Sequence, residues 1–294
     1  MFYFSLDLFD LHENTILVKL TRNKLFKVDN IYLLSRWDPS GGDSTLNVYI
    51  EEIDENKAKE QLTRFINLLN FLYDIDITIA SSLHLYEAGV LPAFEIINAG
   101  TTTNNNIKKI NNVVQKIKNL NPTDYKIIDQ SLRYYSRSLK LMELELHEDS
   151  FLTAFKPIEL IANYIYKNNY QQEFNEYIGK LVPQLLKELF DEEYRDENKD
   201  KEINMTTIAT LENVQTQRRK ISKTLGFLNL NSLKDEIGQV VRLRNKIGAH
   251  GNSGKLILGI DESLNCQKIC KHIVTTYLFG NLTQLTKLDC ERKI

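Results

Sequence analysis

The chain has 294 residues, of which 42% are hydrophobic and 26% charged, with a formal net charge of −2. This length suits one large or two ordinary domains with a packed core. No apolar run reaches the length of a membrane span, the first residues lack the basic region of a secretory signal, and three late cysteines do not suggest a disulfide framework. We therefore expect a soluble cytoplasmic protein with no membrane partner.

The charge is unevenly distributed along the chain. Residues 201–294 carry 15 Lys and Arg against 8 Asp and Glu, whereas residues 1–200 carry 22 against 31. The C-terminal third is therefore expected to attract a polyanion, although the chain as a whole is not.

Residues 1–103 are predicted to form a smaller mixed α/β domain. Stretches in which apolar and polar residues alternate, or that are rich in β-branched and aromatic residues, predict strands. Apolar residues spaced three and four apart predict a helix from Glu55 to Tyr73. The strand candidates are Phe2–Leu8, Ile16–Leu20, Phe26–Arg36, Thr45–Glu51 and Asp76–His84. A strong turn is predicted at Asp38–Asp43, and the polar stretch Gly100–Asn106 is the best linker candidate. His12 and His84 are isolated, which favours structural or solvated histidines.

Residues 104–294 are predicted to be all-helical, so the fold class is mainly α with a small α/β domain in front. Pro122 is expected at a first helical position, whereas Pro157 and Pro183 are expected to kink or split their helices. The predicted helices are Ile107–Leu120, Pro122–Leu146, Phe151–Tyr166 (capped by Ser150), Gln172–Leu189, Thr206–Leu225 (ended by Gly226), Ser232–Ile247 and Asp261–Phe279.

Two charged residues interrupt apolar stripes in this region. Arg244 continues the stripe of Ile237 and Val240, and Glu159 lies within a nearly continuous apolar helix. Because a charge on a core-facing position is costly unless it is paired, we expect Glu159 and Arg244 to meet. Gly248 and Gly251 are expected to end the helix that carries Arg244, and the turn they form would free His250 to turn back toward Arg244.

A basic cluster and a cysteine pair complete the candidate sites. The cluster is either an exposed helix face or a phosphate-contacting patch, and its members are Arg218, Arg219, Lys220 and Lys223. Cys266 and Cys270 lie one helical turn apart near His272, and we interpret them as small core residues because a metal site needs a fourth ligand. No metal or cofactor is expected.

The segment from Arg244 through Asn245 to His250 resembles the signature of the HEPN ribonucleases, in which an arginine precedes a histidine just beyond a helix end. Upstream, "SLRYYSRSL" followed by "SFLTAFKPIELIANYI" is similar to the first two helices of the ApeA-like HEPN subgroup. The resemblance covers residues 122–280. Pro157, two residues before Glu159, departs from the subgroup's pattern.

The resemblance implies a C-terminal HEPN helical bundle that cuts RNA without a metal, in antiviral defence or a toxin-like role. It implies a homodimer whose composite site contains two copies of Arg244 and His250. Asn245 would orient the phosphate or the histidine, and Glu159 would hold Arg244. The basic cluster, with Lys246, would contact RNA.

Several alternatives remain open at this point. His250 could cap the last carbonyls of its helix, and Arg244 and Glu159 could be a buried pair that fixes packing. The chain could also be a non-catalytic HEPN module that binds RNA or a nucleotide, or a structural dimerisation domain. A HEPN toxin silenced by nucleotide transfer to a tyrosine two residues after the histidine is disfavoured, because Asn252 occupies that position.

Overall fold

The computed structural model describes residues 2–6, 25–36, 45–76, 85–87, 105–189, 217–249 and 258–280. These residues are mainly helical with a small sheet near the N-terminus, which confirms the predicted fold class at this level. They form two compact units, divided between Glu145 and Leu146. The division falls later than the boundary predicted between residues 103 and 104, because the first two helices after that boundary pack against elements that precede it.

The sheet of the first unit is antiparallel, with strand order β2-β3-β4-β1-β5. Its strands are β1 (Phe2–Leu6), β2 (Leu25–Val28), β3 (Ile31–Arg36), β4 (Thr45–Ile50) and β5 (Leu85–Glu87).

One strand prediction in this sheet is wrong. The stretch Phe26–Arg36 is a hairpin rather than one strand, because Asp29 adopts a φ of 57° and reverses the chain together with Asn30. The predictions for Ile16–Leu20, Asp38–Asp43 and most of Asp76–His84 fall outside the described residues.

The described residues of the first unit also form three helices: α1 (Glu55–Tyr73), α2 (Asn105–Lys118) and α3 (Pro122–Glu143). The predicted bounds of α1 are confirmed. Asp54 caps it by accepting hydrogen bonds from the backbone N–H groups of Asn56 and Lys57. Asn121 caps α3 in the same way, and Pro122 takes its first position as predicted. Asn105 and Asn106, predicted to be linker, are helical.

Helices α1 and α3 pack through a mixed apolar and polar contact. The rings of Phe71 and Tyr135 meet edge to face with centroids 5.1 Å apart. The Tyr135 hydroxyl donates to Asp74 Oδ1 over 2.6 Å, and the buried Asn70 donates through Nδ2 to Ser136 Oγ over 2.7 Å. A buried polar pair of this kind fixes the relative register of the two helices, since either group alone would be costly to bury.

The second unit is all-helical among the described residues. Its elements are α4 (His147–Asn169), α5 (Gln171–Leu189), α6 (Gln217–Phe227), a 3₁₀ turn (Asn231–Leu233), α7 (Lys234–Ala249) and α8 (Ile260–Phe279). Helix α4 is central, because it packs against α5, α6 and α8. Its buried side chains include Phe151, Phe155, Ile158, Ile161 and Ile165.

The predicted start of α4 is wrong. Ser150 does not cap the helix but is buried inside it, where its hydroxyl oxygen accepts a hydrogen bond from Gln267 Nε2 of α8 over 3.2 Å. The helix also runs through Pro157 without ending there, although a proline removes one helical hydrogen bond. Likewise α5 runs through Pro183. Packing on several sides offsets this cost for α4.

Helices α6 and α7 also differ from the prediction. Gly226 lies within α6 and Gly248 within α7, so neither glycine ends its helix. Helix α7 begins at Lys234 after the 3₁₀ turn, and Ser232 is not its cap. Among the described helices, none is both long and apolar enough to cross a membrane.

Candidate active site around Arg244

Helix α7 positions Arg244 by anchoring its own first turns in the core. Ile237, Val240 and Val241 are buried at spacings that share one helix face. Arg244 comes four residues after Val240 on that face, near the end of the helix, which closes at Ala249. The Arg244 side chain is 37% exposed, so this face of α7 is only partly covered by the core at Arg244.

Glu159 on α4 receives Arg244. The Arg244 Nη2 atom lies 3.1 Å from Glu159 Oε1, and the Glu159 side chain is only 15% exposed. The other carboxylate oxygen, Oε2, lies 3.1 Å from Lys156 Nζ. The contact predicted between Glu159 and Arg244 is therefore present. Because Lys156 and Arg244 share the Glu159 carboxylate, the burial of that carboxylate depends less on Arg244 than the sequence suggests.

Most N–H donors of the Arg244 guanidinium make no hydrogen bond to the described residues. The guanidinium carries five N–H groups in a planar fork, and in the described part of the chain its hydrogen bonding is to Glu159 alone. The side chain is also partly exposed, so it is both paired with Glu159 and open to solvent. A cation that is anchored through one nitrogen and open at the others can bind an anion such as a phosphate.

The neighbours of Arg244 are less constrained. Asn245 and Lys246 are exposed, and in the described region neither makes a hydrogen bond or an ion pair. Among the described residues, Asn245 therefore makes no hydrogen bond to Arg244 or Glu159. His250 lies outside the described residues, so its predicted approach to Arg244 stays a prediction.

Three members of the basic cluster on α6 are held by specific contacts. The Arg219 guanidinium lies 5.2 Å from the centre of the Phe174 ring, and Lys223 Nζ lies 5.0 Å from that of Tyr170. Lys220 Nζ lies 3.3 Å from Asn163 Oδ1. These cation–π and amide contacts orient the cations against α4 and α5 while leaving Lys223 and Arg219 exposed. Arg218 is exposed as well.

Helix α4 brings this cluster toward Arg244. Asn163, which contacts Lys220, follows Glu159 by four residues and therefore lies one turn along the same face of α4, about 6 Å further along its axis. Lys220 and Arg244, from two different helices, thus approach neighbouring positions of α4. We define the α4 cation face as Lys156, Glu159, Asn163, Lys220 and Arg244.

Sequence reasoning missed Lys156 and Asn163 as members of this face. Their spacing could have predicted this. Lys156 precedes Glu159 by three residues and Asn163 follows it by four, so all three lie on one side of α4. Phe174 and Tyr170, which support the α6 cations, carry no comparable signal since their partners are distant in the sequence.

The cysteines and His272 take no part in this face. Cys266 and Cys270 are fully buried, and burial raises the pKa of both thiols well above the ordinary value. The prediction of two small core residues is confirmed, and neither thiol is a nucleophile at neutral pH. Burial lowers the pKa of His272. Within the described ranges, no group of three or more His, Cys, Asp or Glu side chains could hold a metal ion.

Comparison with known proteins adds no relative. The chain matches no protein-family model, no curated protein and no solved structure. The α4 cation face and the sequence pattern therefore carry the functional inference by themselves.

The strength of the Glu159–Arg244 contact can be measured by a double-mutant cycle. We expect Glu159→Ala and Arg244→Ala to show a coupling free energy of roughly 1 kcal/mol in urea unfolding, since the arginine is partly solvated and Lys156 shares the carboxylate. Lys156→Ala, which leaves the contact intact, should cost less than Glu159→Ala. A coupling of about 3 kcal/mol or more would indicate the fully buried pair that the sequence suggests, and a coupling near zero would mean that the contact does not persist in solution.

Proposed function

We propose that the chain is a metal-independent endoribonuclease of the HEPN type, with Arg244 and His250 as catalytic residues and RNA as substrate. The observation that carries the proposal is the Glu159–Arg244 contact, with Nη2 and Oε1 3.1 Å apart. It holds a partly exposed guanidinium near the end of α7, and His250 is the residue that follows this helix. This is the arrangement that the resemblance to the HEPN signature implies for a catalytic arginine.

The chemistry follows from the two side chains. Histidine titrates near neutral pH, so it can accept the proton of a ribose 2′-hydroxyl or give one to the departing 5′-oxygen. The 2′-oxygen then attacks the adjacent phosphorus and the bond from phosphorus to the 5′-oxygen breaks, leaving a 2′,3′-cyclic phosphate and a 5′-hydroxyl. Arginine keeps its charge and stabilises the phosphate oxygens as negative charge develops. Asn245 would orient the phosphate or the histidine.

Two copies of the site are required in this proposal. One histidine does not readily serve as base and acid in the same step, so we propose a homodimer in which two Arg244–His250 pairs share a cleft. The α6 cations Arg218, Arg219, Lys220 and Lys223, together with Lys246, would contact the phosphate backbone. The proposed setting is the cytoplasm, in antiviral defence or a toxin-like role, as the resemblance implies.

The test is RNA cleavage in the presence of EDTA. The purified chain is expected to cut RNA under these conditions and to leave 2′,3′-cyclic phosphate or 3′-phosphate ends. A substrate with 2′-deoxyribose at the scissile position should resist, because the attacking hydroxyl is absent. Cleavage that requires Mg²⁺ and leaves 5′-phosphates would contradict the mechanism. RNA binding without cleavage would favour the alternative of a non-catalytic binding module, for which the α4 cation face would suffice.

A further inference from the structure

The first unit has two adjoining concavities that the proposed nuclease does not use. One, which we call the ring cavity, has a volume of about 520 Å³ and lies between the β2–β3 turn, α1, α2 and α3. The other, the basic groove, has a volume of about 560 Å³ and lies between α1 and α3. Arg64 lines both, so they meet at this side chain. Each is of the size that small-molecule sites have in proteins.

The basic groove carries unbalanced positive charge. Arg133, Arg137 and Lys140 of α3 follow one another at spacings of four and three, so all three line the groove from one helix face. Arg133 Nη2 is 3.5 Å from Asp129, whereas Arg137 and Lys140 make no ion pair within the described parts of the chain. Anions entering this groove would therefore meet two uncompensated cations.

A buried hydroxyl contributes to the groove wall. Ser136 is 9% exposed, and its oxygen already accepts a hydrogen bond from Asn70 Nδ2 over 2.7 Å. Its own proton makes no other hydrogen bond to the described residues, so it can be donated to an anion in the groove. A buried donor beside exposed cations is the combination that recognises phosphate oxygens.

Two carboxylates also line the groove. Glu60 and Asp76 belong to its wall, and the Glu60 Oε1 atom lies 2.6 Å from Arg64 Nη2, so an arginine of the same wall compensates the Glu60 charge. The bounded volume of about 560 Å³ suits a short chain of phosphates.

The ring cavity offers apolar walls and amide groups. Phe65, Leu68 and Leu132 line it, and Gln61 and Asn30 contribute side-chain amides that already hydrogen-bond to each other over 2.6 Å. An apolar slot with amides at its edge suits a flat heterocycle with donors and acceptors along its rim.

Arg64 and Tyr125 stand at the junction of the two concavities. The Arg64 guanidinium lies 5.5 Å from the centre of the Tyr125 ring. Its Nη2 atom lies 2.6 Å from Glu60 Oε1 and its Nε atom lies 3.4 Å from Asp129 Oδ1, so two carboxylates hold the guanidinium beside the Tyr125 ring.

From these contacts we propose that the two concavities form one binding site for a nucleoside di- or triphosphate. The base lies in the ring cavity against Tyr125, and the phosphates lie in the basic groove against Arg137, Lys140 and Ser136. This site involves neither Arg244 nor His250, so its existence does not depend on the proposed nuclease activity.

Calorimetric titration of the full chain tests the proposal with defined probes. The four ribonucleoside triphosphates, inorganic tripolyphosphate, adenosine and a single-stranded RNA oligonucleotide without terminal phosphates are titrated in turn. At least one triphosphate is expected to bind more tightly than tripolyphosphate, and adenosine should bind most weakly. If no triphosphate binds, if tripolyphosphate binds as tightly as the best triphosphate, or if adenosine does, the proposal is overturned.

Variants assign the binding to this site. Arg137→Gln with Lys140→Gln is expected to weaken triphosphate binding by roughly 100-fold, about tenfold for each of the two cations removed. Lys57→Gln with Lys108→Gln removes two exposed cations of the same unit that line neither concavity and should leave binding unchanged. Tyr125→Leu should weaken triphosphate but not tripolyphosphate binding.

Other outcomes reject the proposal. Unchanged triphosphate affinity in the Arg137/Lys140 variant would place the binding elsewhere. Oligonucleotide binding that is tighter than any triphosphate and is abolished in the same variant would make the groove a nucleic-acid surface. Arg137→Lys with Lys140→Arg keeps the charges and is expected to retain binding, which separates loss of charge from loss of fold.

Discussion

His250→Ala is expected to lower the rate of RNA cleavage by about 100-fold to 10,000-fold, the usual contribution of a general acid or base. Arg244→Ala is expected to lower it by about 100-fold to 1,000-fold, because the substitution removes a charged donor aimed at the developing phosphate charge. The measurement is the rate of single-turnover cleavage of a labelled RNA in EDTA.

A matched control is available on the same helix. Arg242 is exposed, lies two residues before Arg244, and makes no hydrogen bond or ion pair in the described regions. Arg242→Ala removes the same charge and should leave the rate within about threefold of wild type, since an exposed cation contributes little beyond screened attraction. An equal loss in the Arg242 and Arg244 variants would indicate that α7 merely attracts RNA by its charge.

Stability must be separated from catalysis in these variants. The Arg244 side chain is partly exposed, so its removal is expected to cost roughly 1 kcal/mol of unfolding free energy. A protein of this size should stay folded at such a cost. Arg244→Lys keeps the charge but lacks the planar fork, so we expect it to recover only part of the rate. Loss of cleavage together with loss of the folded circular dichroism signal would support a structural role for Arg244.

Mixing two inactive variants is expected to restore no cleavage if the reaction needs both copies of His250, as proposed above for the base and the acid. If instead each centre takes Arg244 from one chain and His250 from the other, Arg244→Ala and His250→Ala chains form mixed dimers in which one centre receives both defects and the other receives none. With random exchange, half of these dimers are mixed and each has one of two centres intact, so activity would return to about a quarter of the wild-type value.

The mixing result also distinguishes among arrangements of the site. Restoration requires that each centre draws Arg244 from one chain and His250 from the other. If the two residues act within one chain, or if a centre needs all four groups, mixing restores nothing. Sedimentation should find the active species as a dimer, and an active monomer would reject the shared-site proposal. Mixing Arg244→Ala with the Arg242→Ala control serves as the reference for dilution by an inactive partner.

Local signals in the sequence determined several elements of this protein. The bounds of α1 follow from Asp54, which caps the first turn, and from the change of pattern after Tyr73. Helix α3 begins where Asn121 and Pro122 predict it. Helix α8 ends before Gly280, whose φ of 79° is accessible to glycine at little cost. These signals depend only on residues within a turn of each other, so the sequence suffices to read them.

The sequence also predicted the Glu159–Arg244 contact, 85 positions apart, because a charge on each of two apolar stripes needs a partner. It did not predict that Lys156 shares the carboxylate or that Arg244 is 37% exposed. The exposed fraction of a side chain at a helix end depends on how far the neighbouring helices extend, and the packing of those helices decides this.

Only the tertiary structure decided where α4 begins and what lies beside it. Ser150 has the chemistry of a cap, yet it is buried against Gln267, because packing on α8 outweighs a local preference worth about 1 kcal/mol. The approach of Lys220 to Asn163, one turn from Glu159, joins residues 57 positions apart. No periodicity in the sequence predicts this contact, since it arises when α6 packs on α4 and α7 packs on α6. The α4 cation face is therefore a product of packing, assembled around one arginine that the sequence had already identified.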